Sequence, residues 1–157
     1  MPKDVDRQDI RILDALQESG RLSNVDLAQR VNLSPSPCLA RVRELERAGV
    51  IEQYVALLNP AKVGLNLSVF IAITLERQVE KALEHFETAM LGHPEVMECY
   101  LMTGDSDYLI RVVVADVRAL EHFIVNQLSK LAGISNIRSS IALKQAKYKT
   151  ALPLPML

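Results

Sequence analysis

The sequence predicts an α+β chain in two parts, and three observations carry that prediction. Up to about residue 58 the apolar residues recur at helical spacings of three and four. From Leu67 onward a period of two appears and then alternates with further helical stretches. The change of regime coincides with a chain break at Asn59-Pro60. The expected boundaries are 1–58, a hinge at 59–66, and a second domain at 67–157.

The first element is a helix over 6–19. Ile10, Leu13 and Leu16 recur at three-residue steps, Asp6 and Asp9 suit the positive end of the helix dipole, and Gly20 stops it. Residues 23–47 then read as two short helices joined by a tight turn. Ser23 is a good N-cap, with Asp26 three residues on and Val25, Leu27, Ala28 and Val31 behind it. Asn32 tolerates the left-handed conformation needed past a helix end. Ser34-Pro35 starts the next helix, with the cap followed by proline at the first helical position. Cys38, Val42 and Leu45 form its buried stripe. Its opposite side carries Ser36, Pro37, Ala40, Glu44 and Arg47, flanked by Arg41 and Arg43. Small and basic groups on an exposed second helix suit a helix-turn-helix that places this helix in a DNA major groove. The same spacing fits a plain αα-corner with a solvated face. Ala48-Gly49 ends the helix, and residues 50–58 read as a strand or short wing, which makes the unit a winged helix-turn-helix.

In the second part, Leu67, Val69, Ile71, Ile73 and Leu75 alternate with Ser68, Phe70, Ala72 and Thr74, which predicts a strand. A helix follows over 79–91, ended by Gly92 and Pro94. Strands at 96–103 and 108–115 flank a turn at 104–107 and should form a hairpin. A helix over 117–131 ends at Gly133, and a last strand covers 134–143. The order β-α-β-β-α-β is the split βαβ, ferredoxin-like arrangement. Glu84-His85-Phe86 and Glu121-His122-Phe123 sit at corresponding places in the two halves, as a faint internal repeat. Helices cover one face of such a sheet. Phe70, Ala72, Leu101 and Leu109 make the other face apolar, and the expected cover is a second subunit.

Composition narrows the function classes. Net charge is −1 overall, and residues 1–60 carry eight Lys/Arg against nine Asp/Glu. The chain is therefore no nonspecific polycation, and any DNA contact must come from grouped arginines. Cys38 and Cys99 fit no metal spacing, and His85, His93 and His122 are not spaced as ligands. No nucleophile elbow or glycine-rich phosphate loop occurs, so the expectation is a non-enzyme without cofactor or metal. No apolar run of about 18 residues and no signal-peptide pattern is found, and a reducing cytoplasmic setting is the default.

One further stretch is dense in recognition groups: Thr103-Gly104-Asp105-Ser106-Asp107-Tyr108. Gly104 lets a backbone N–H approach a ligand. Asp105 and Asp107 offer carboxylates to an ammonium, and turn N–H groups suit a carboxylate. A free amino acid carries both charges. Ser139 and Ser140 add hydroxyls if the last strand lies nearby, and Leu101 and Met102 offer apolar contact. The same carboxylates also fit a plain polar hairpin turn.

Taken together, SNVDLAQRVNLSPSPCLARVRELERAGVI, YVALLNP and TGDSDYLI resemble the Lrp/AsnC (feast/famine) regulators, over nearly the whole chain from Asp6 to about Lys147. LSPSPCLARV is close to that family's recognition helix, and Gly104-Asp105-Ser106-Asp107-Tyr108 fits its G-x-x-D-Y signature. The resemblance implies a winged helix-turn-helix that binds double-stranded DNA and a split βαβ effector domain. It implies dimers that assemble further, commonly to octamers, and a small amino-acid effector held between subunits near the G-x-x-D-Y turn, with no membrane partner. Leucine or methionine is favoured, because Leu101 and Met102 flank the turn. Ser34, Ser36 and Pro37 are the expected groups at the helix N-terminus, with Arg41, Arg43 and Arg47 as base and phosphate contacts. The candidate effector set is Leu101, Met102, Thr103, Gly104, Asp105, Asp107, Tyr108, Ser139 and Ser140. Two other functions fit parts of the chain: an amino-acid sensor acting on a protein partner, and a DNA-compacting protein with little sequence preference. Asn32 stands where glycine is common in the family, and the tail TALPLPML is unusually apolar and proline-rich.

Overall fold

A computed structural model describes residues 5–155. The chain divides into two compact units, Met1–Leu57 with Ala146–Leu157, and Leu58–Gln145. The tail, expected with the second domain, thus groups with the first.

The first unit holds α1 (Arg7–Glu18), α2 (Asn24–Arg30) and α3 (Pro35–Arg47). Asp6 caps α1 by accepting the N–H groups of Gln8 and Asp9, and Asp9 accepts that of Asp6 in return, a complete capping box. Ser23 caps α2, its side chain accepting the Asp26 N–H at 3.2 Å. Ser34 occupies the α3 cap position without a side-chain cap bond, and Pro35 fills the first helical position. Asn32 takes φ 57, the left-handed conformation expected between the helices. Ile12, Leu13, Ala15, Leu27, Ala28, Val31, Cys38 and Leu45 form the core where the three helices meet, with Leu154 of the tail packed against it. The tail is fastened to α1 by a reciprocal pair: the Leu152 N–H donates to Gln17 Oε1 at 2.6 Å, and the Gln17 amide donates to the Leu152 carbonyl at 3.2 Å.

Residues 50–58 form no strand, contrary to expectation. The Val50 and Ile51 N–H groups turn back to the Leu45 carbonyl, and Tyr54, Val55, Leu57 and Leu58 are all exposed. A strand needs a hydrogen-bonded neighbour, and none of the described residues of this unit supplies one. A short 3-10 turn, Pro60–Val63, capped by Asn59, follows in the second unit.

The second unit is a four-stranded sheet under two helical segments. Its elements are β1 (Leu67–Leu75), α4 (Glu80–Leu91), β2 (Val96–Leu101), β3 (Tyr108–Val114), α5 (Val117–His122) and β4 (Ile134–Ile141). Strand order is β2-β3-β1-β4 with every neighbouring pair antiparallel, the ferredoxin-like arrangement. The helix expected over 117–131 continues past α5 as a π turn, Phe123–Gln127, and a 3-10 turn, Leu128–Lys130. The wide turn brings Phe123 and Leu128, five residues apart, into the same core. Val69, Ile71, Ile73, Tyr108, Ile110 and Val112 supply the sheet side of that core. The other face carries Phe70, Ala72 and Leu109 as expected. Leu101 is not on it. Leu101 pairs with Tyr108, so both point to the helix side, and Tyr100 takes the outer place beside Leu109. An Arg111–Glu98 ion pair at 2.6 Å also lies on the outer face, which is therefore apolar only in part.

Candidate functional site

Two groups of candidate residues stand in separate units. In the first, α3 is anchored by its buried Cys38 and Leu45, which leaves Ser36, Pro37, Ala40, Arg43 and Arg47 on its exposed side. Pro35 and Pro37 have no N–H, and that of Cys38 bonds the Ser34 carbonyl at 3.1 Å. What the first turn offers an anion is thus the Ser36 N–H and the Ser34 and Ser36 hydroxyls.

The three arginines differ sharply. Arg43 is exposed and makes no ion pair among the described residues. Arg47 forks onto Glu44 of its own helix, at 3.0 and 2.6 Å, which raises the guanidinium pKa further and leaves its side chain 75% exposed. Arg41 turns inward: its Nη1 donates to Asp6 Oδ2 at 2.7 Å and to Asp9 Oδ1 at 2.9 Å. The Asp9 N–H donated to Asp6, and then Arg41, hold the Asp6 carboxyl below its ordinary pKa. Sequence spacing placed Arg41 with the contact arginines; the structure joins it to α1. The reason is reach, since a long side chain on the flank of α3 spans the distance to the acidic first turn of α1.

In the second unit the β2–β3 turn divides by direction. Thr103, Gly104 and Asp105 are exposed, and Gly104 takes φ 129, a conformation side-chain-bearing residues rarely adopt. Leu101 and Met102 beside them are also exposed. Asp107 is buried and committed. Its carboxylate accepts the Leu75 N–H at 2.7 Å and the Gln78 amide, and its backbone N–H donates to the Ile73 carbonyl at 2.9 Å. The expectation that Asp105 and Asp107 would together meet an ammonium is therefore corrected, because only Asp105 faces outward. Tyr108 is likewise inside, its ring 4.5 Å from that of Phe86 and its hydroxyl donating to Glu87 Oε1 at 2.7 Å. Burial first, then the neighbouring Glu87 carboxylate, pushes this phenol well above its ordinary pKa.

Ser139 pairs with Ile71 and Ser140 with Phe70, whereas the turn leaves β3 opposite Ile73. Since β1 lies between β4 and β3, the serines stand roughly 10 Å across the sheet from β3. One chain does not bring them onto the turn. Sequence reasoning missed an open groove of about 440 Å³ on the helix side of β2, lined by Glu87, Met90, His93, Met97, Leu101 and Tyr108 among others. The sequence signal for it was weak: Met97 falls at a register slip between Val96 and Glu98, which breaks the strand alternation there.

Comparison with known proteins places both units. A winged helix-turn-helix DNA-binding model matches residues 5–52, and an Lrp/AsnC ligand-binding domain model matches residues 68–152. The leucine-responsive regulatory protein of Escherichia coli K12 is 44% identical over 150 residues, covering 96% of this chain and 92% of its own. A transcriptional regulator of Neisseria meningitidis, solved as an L-methionine complex, superposes with a TM-score of 0.91 at 44% identity, covering 96% of this chain and 97% of that one. A feast or famine regulatory protein of M. tuberculosis, also complexed with L-methionine, gives 0.83 at 34% identity, covering 97% and 100%. The three-helix unit and the ferredoxin-like sheet are thus the two halves of one regulator, and the chain belongs to the Lrp/AsnC family of transcription regulators.

Proposed function

We propose that the chain regulates transcription by reading DNA through α3 and that its assembly or DNA affinity responds to a free amino acid, methionine or leucine. On this reading it is no enzyme and works in the cytoplasm. The observation that carries the DNA half is the outward set Ser36, Pro37, Arg43 and Arg47 on a helix held by a buried stripe. Arg43 and Arg47 supply the phosphate or guanine contacts, and Ser34 and Ser36 flank them at the helix N-terminus. The effector half rests on Thr103, Gly104 and Asp105. These present backbone N–H groups and one carboxylate outward, beside exposed Leu101 and Met102. L-Methionine in two similar regulators supports that choice of ligand.

Because Ser139 and Ser140 stand away from the turn within one chain, they take part only if a second copy supplies them. On this reading the site is completed between subunits, in a homodimer that builds larger assemblies up to an octamer. Selection of duplexes from a random pool, followed by salt titration, tests the reader. Arg43→Ala and Arg47→Ala each lower the slope of log affinity against log salt by about 0.9 if the side chain neutralises a phosphate. An unchanged slope and affinity in both variants would sink the assignment. A thermal-shift panel of the amino acids tests the effector, since a ligand bound only by the folded state raises its stability. No shift with any amino acid removes the effector half and leaves the reader standing.

A further inference from the structure

The first turn of α1 touches both helices of the reader. The Gln8 side-chain amide donates to the Val31 carbonyl at 2.6 Å, where α2 ends and the turn toward α3 begins. Beside it, Arg41 of α3 donates to Asp6 at 2.7 Å and to Asp9 at 2.9 Å. The same two carboxylates build the capping box of α1. Asp9 is only 1% exposed, and the Arg41 side chain 36%.

We infer that this turn is the positioning element of the recognition helix, and that Arg41 is a positioning residue acting through Asp6 and Asp9 and not a DNA contact. The inference rests on the DNA-reading function proposed above. A guanidinium that moved to a phosphate would give up its bonds to Asp6 and to the buried Asp9 carboxylate, an unfavourable exchange. Arg41 is already paired with two carboxylates, so it adds little to counterion release. Its effect is geometric: Gln8 fixes the end of α2, Arg41 fixes the middle of α3, and the pitch of α3 is set at both points. Hydrogen bonds to base edges weaken steeply with misalignment, so this pitch decides whether Ser36 and Arg43 reach them.

Asp9→Asn tests this by sign. It removes a negative charge from the DNA-binding unit, so electrostatics alone tightens binding to any duplex. Positioning predicts the opposite for the selected duplex, a loss of roughly tenfold, the scale of one lost base contact. Affinity for random duplex stays level or rises. Arg41→Met loses specific affinity by a similar factor while keeping the wild-type salt slope, and the double variant binds no more weakly than either single one. Gln8→Ala leaves the ion cluster in place and carries the test if a charge variant does not fold; its ratio of specific to random affinity falls. Equal or tighter specific binding by Asp9→Asn, a slope reduced by about 0.9 in Arg41→Met, or an unchanged ratio in Gln8→Ala overturns the positioning role. Failure of the wild-type protein to select any sequence overturns instead the DNA-reading function on which it rests.

Discussion

Asp107 sits in a motif that invites a ligand-binding role, and replacing it separates that role from a structural one. Its carboxylate accepts the Leu75 N–H at 2.7 Å in a buried setting. That N–H lies two residues past the last β1–β3 pair, Ile73 with Tyr108, so no strand carbonyl of β3 waits for it. A hydrogen bond to a charged acceptor contributes about 1.5–3 kcal/mol, and an abandoned buried donor costs about 1–3 kcal/mol. These are two views of one loss and are not added. Gln78 is exposed, and water replaces much of what its amide loses. Asp107→Ala is therefore expected to cost about 2–3 kcal/mol. For a unit of this size each kcal/mol moves the midpoint by about 4–8 °C, so the shift is roughly 10–20 °C. Asp107→Asn keeps a carbonyl acceptor for Leu75 and should lose about half as much. Thermal unfolding without any amino acid measures the midpoint, and hydrogen exchange at the Leu75 amide reports the local bond. If the Ala variant unfolds with the wild type and loses only the stabilisation by methionine, the structural account of Asp107 is wrong.

Three further outcomes follow from the same geometry. Gly104→Ala meets no atom within 4 Å, yet φ 129 strains any side-chain-bearing residue, so it should cost about 1–3 kcal/mol in the second unit's thermal midpoint. Leu154→Ala, which trims a half-buried side chain from the three-helix core, should lower the first unit's stability by about 1–2 kcal/mol, and an unchanged midpoint would show that the tail does not dock there. Partial burial of the Tyr54 ring, then its bond to Glu46, pushes that phenol up to about 12 from 10.0. The folded state favours the protonated form, so the stability this phenol contributes is complete below pH 10 and is lost as pH climbs toward 12; Tyr54→Phe should flatten that part of the alkaline unfolding curve.

Most of the fold was legible because its signals are local. Period-two alternation in β1, the N-cap Ser23, and Asn32 at the left-handed position each depend on residues within a few places of one another. The misses share the opposite property. Arg41 meets Asp6 across 35 residues and Asp107 meets Leu75 across 32, distances at which spacing says nothing about which charge is spent. The segment 50–58 has strand-like residues, but strand formation is decided by a partner and not by propensity. The tail was read as an oddity of composition. Its proline-spaced leucines lie along α1, with Leu152 bonded to Gln17 and Leu154 on the core.

The two recognition stretches are built on the same division of labour. In LARVR, Arg41 faces the protein and Arg43 faces away from it. In GDSDY, Asp107 and Tyr108 hold the sheet and α4 together, while Gly104 and Asp105 face away. Strand alternation and helical pitch place charges close in sequence in opposite surroundings. A charged motif therefore overstates its binding set, because part of its charge fixes the backbone that presents the rest. Replacing an inward member should move the thermal midpoint and, through it, the site; replacing an outward side chain, Arg43 or Asp105, should change binding at constant midpoint. Residue type alone, carboxylate or guanidinium, does not sort them, and direction in the fold does.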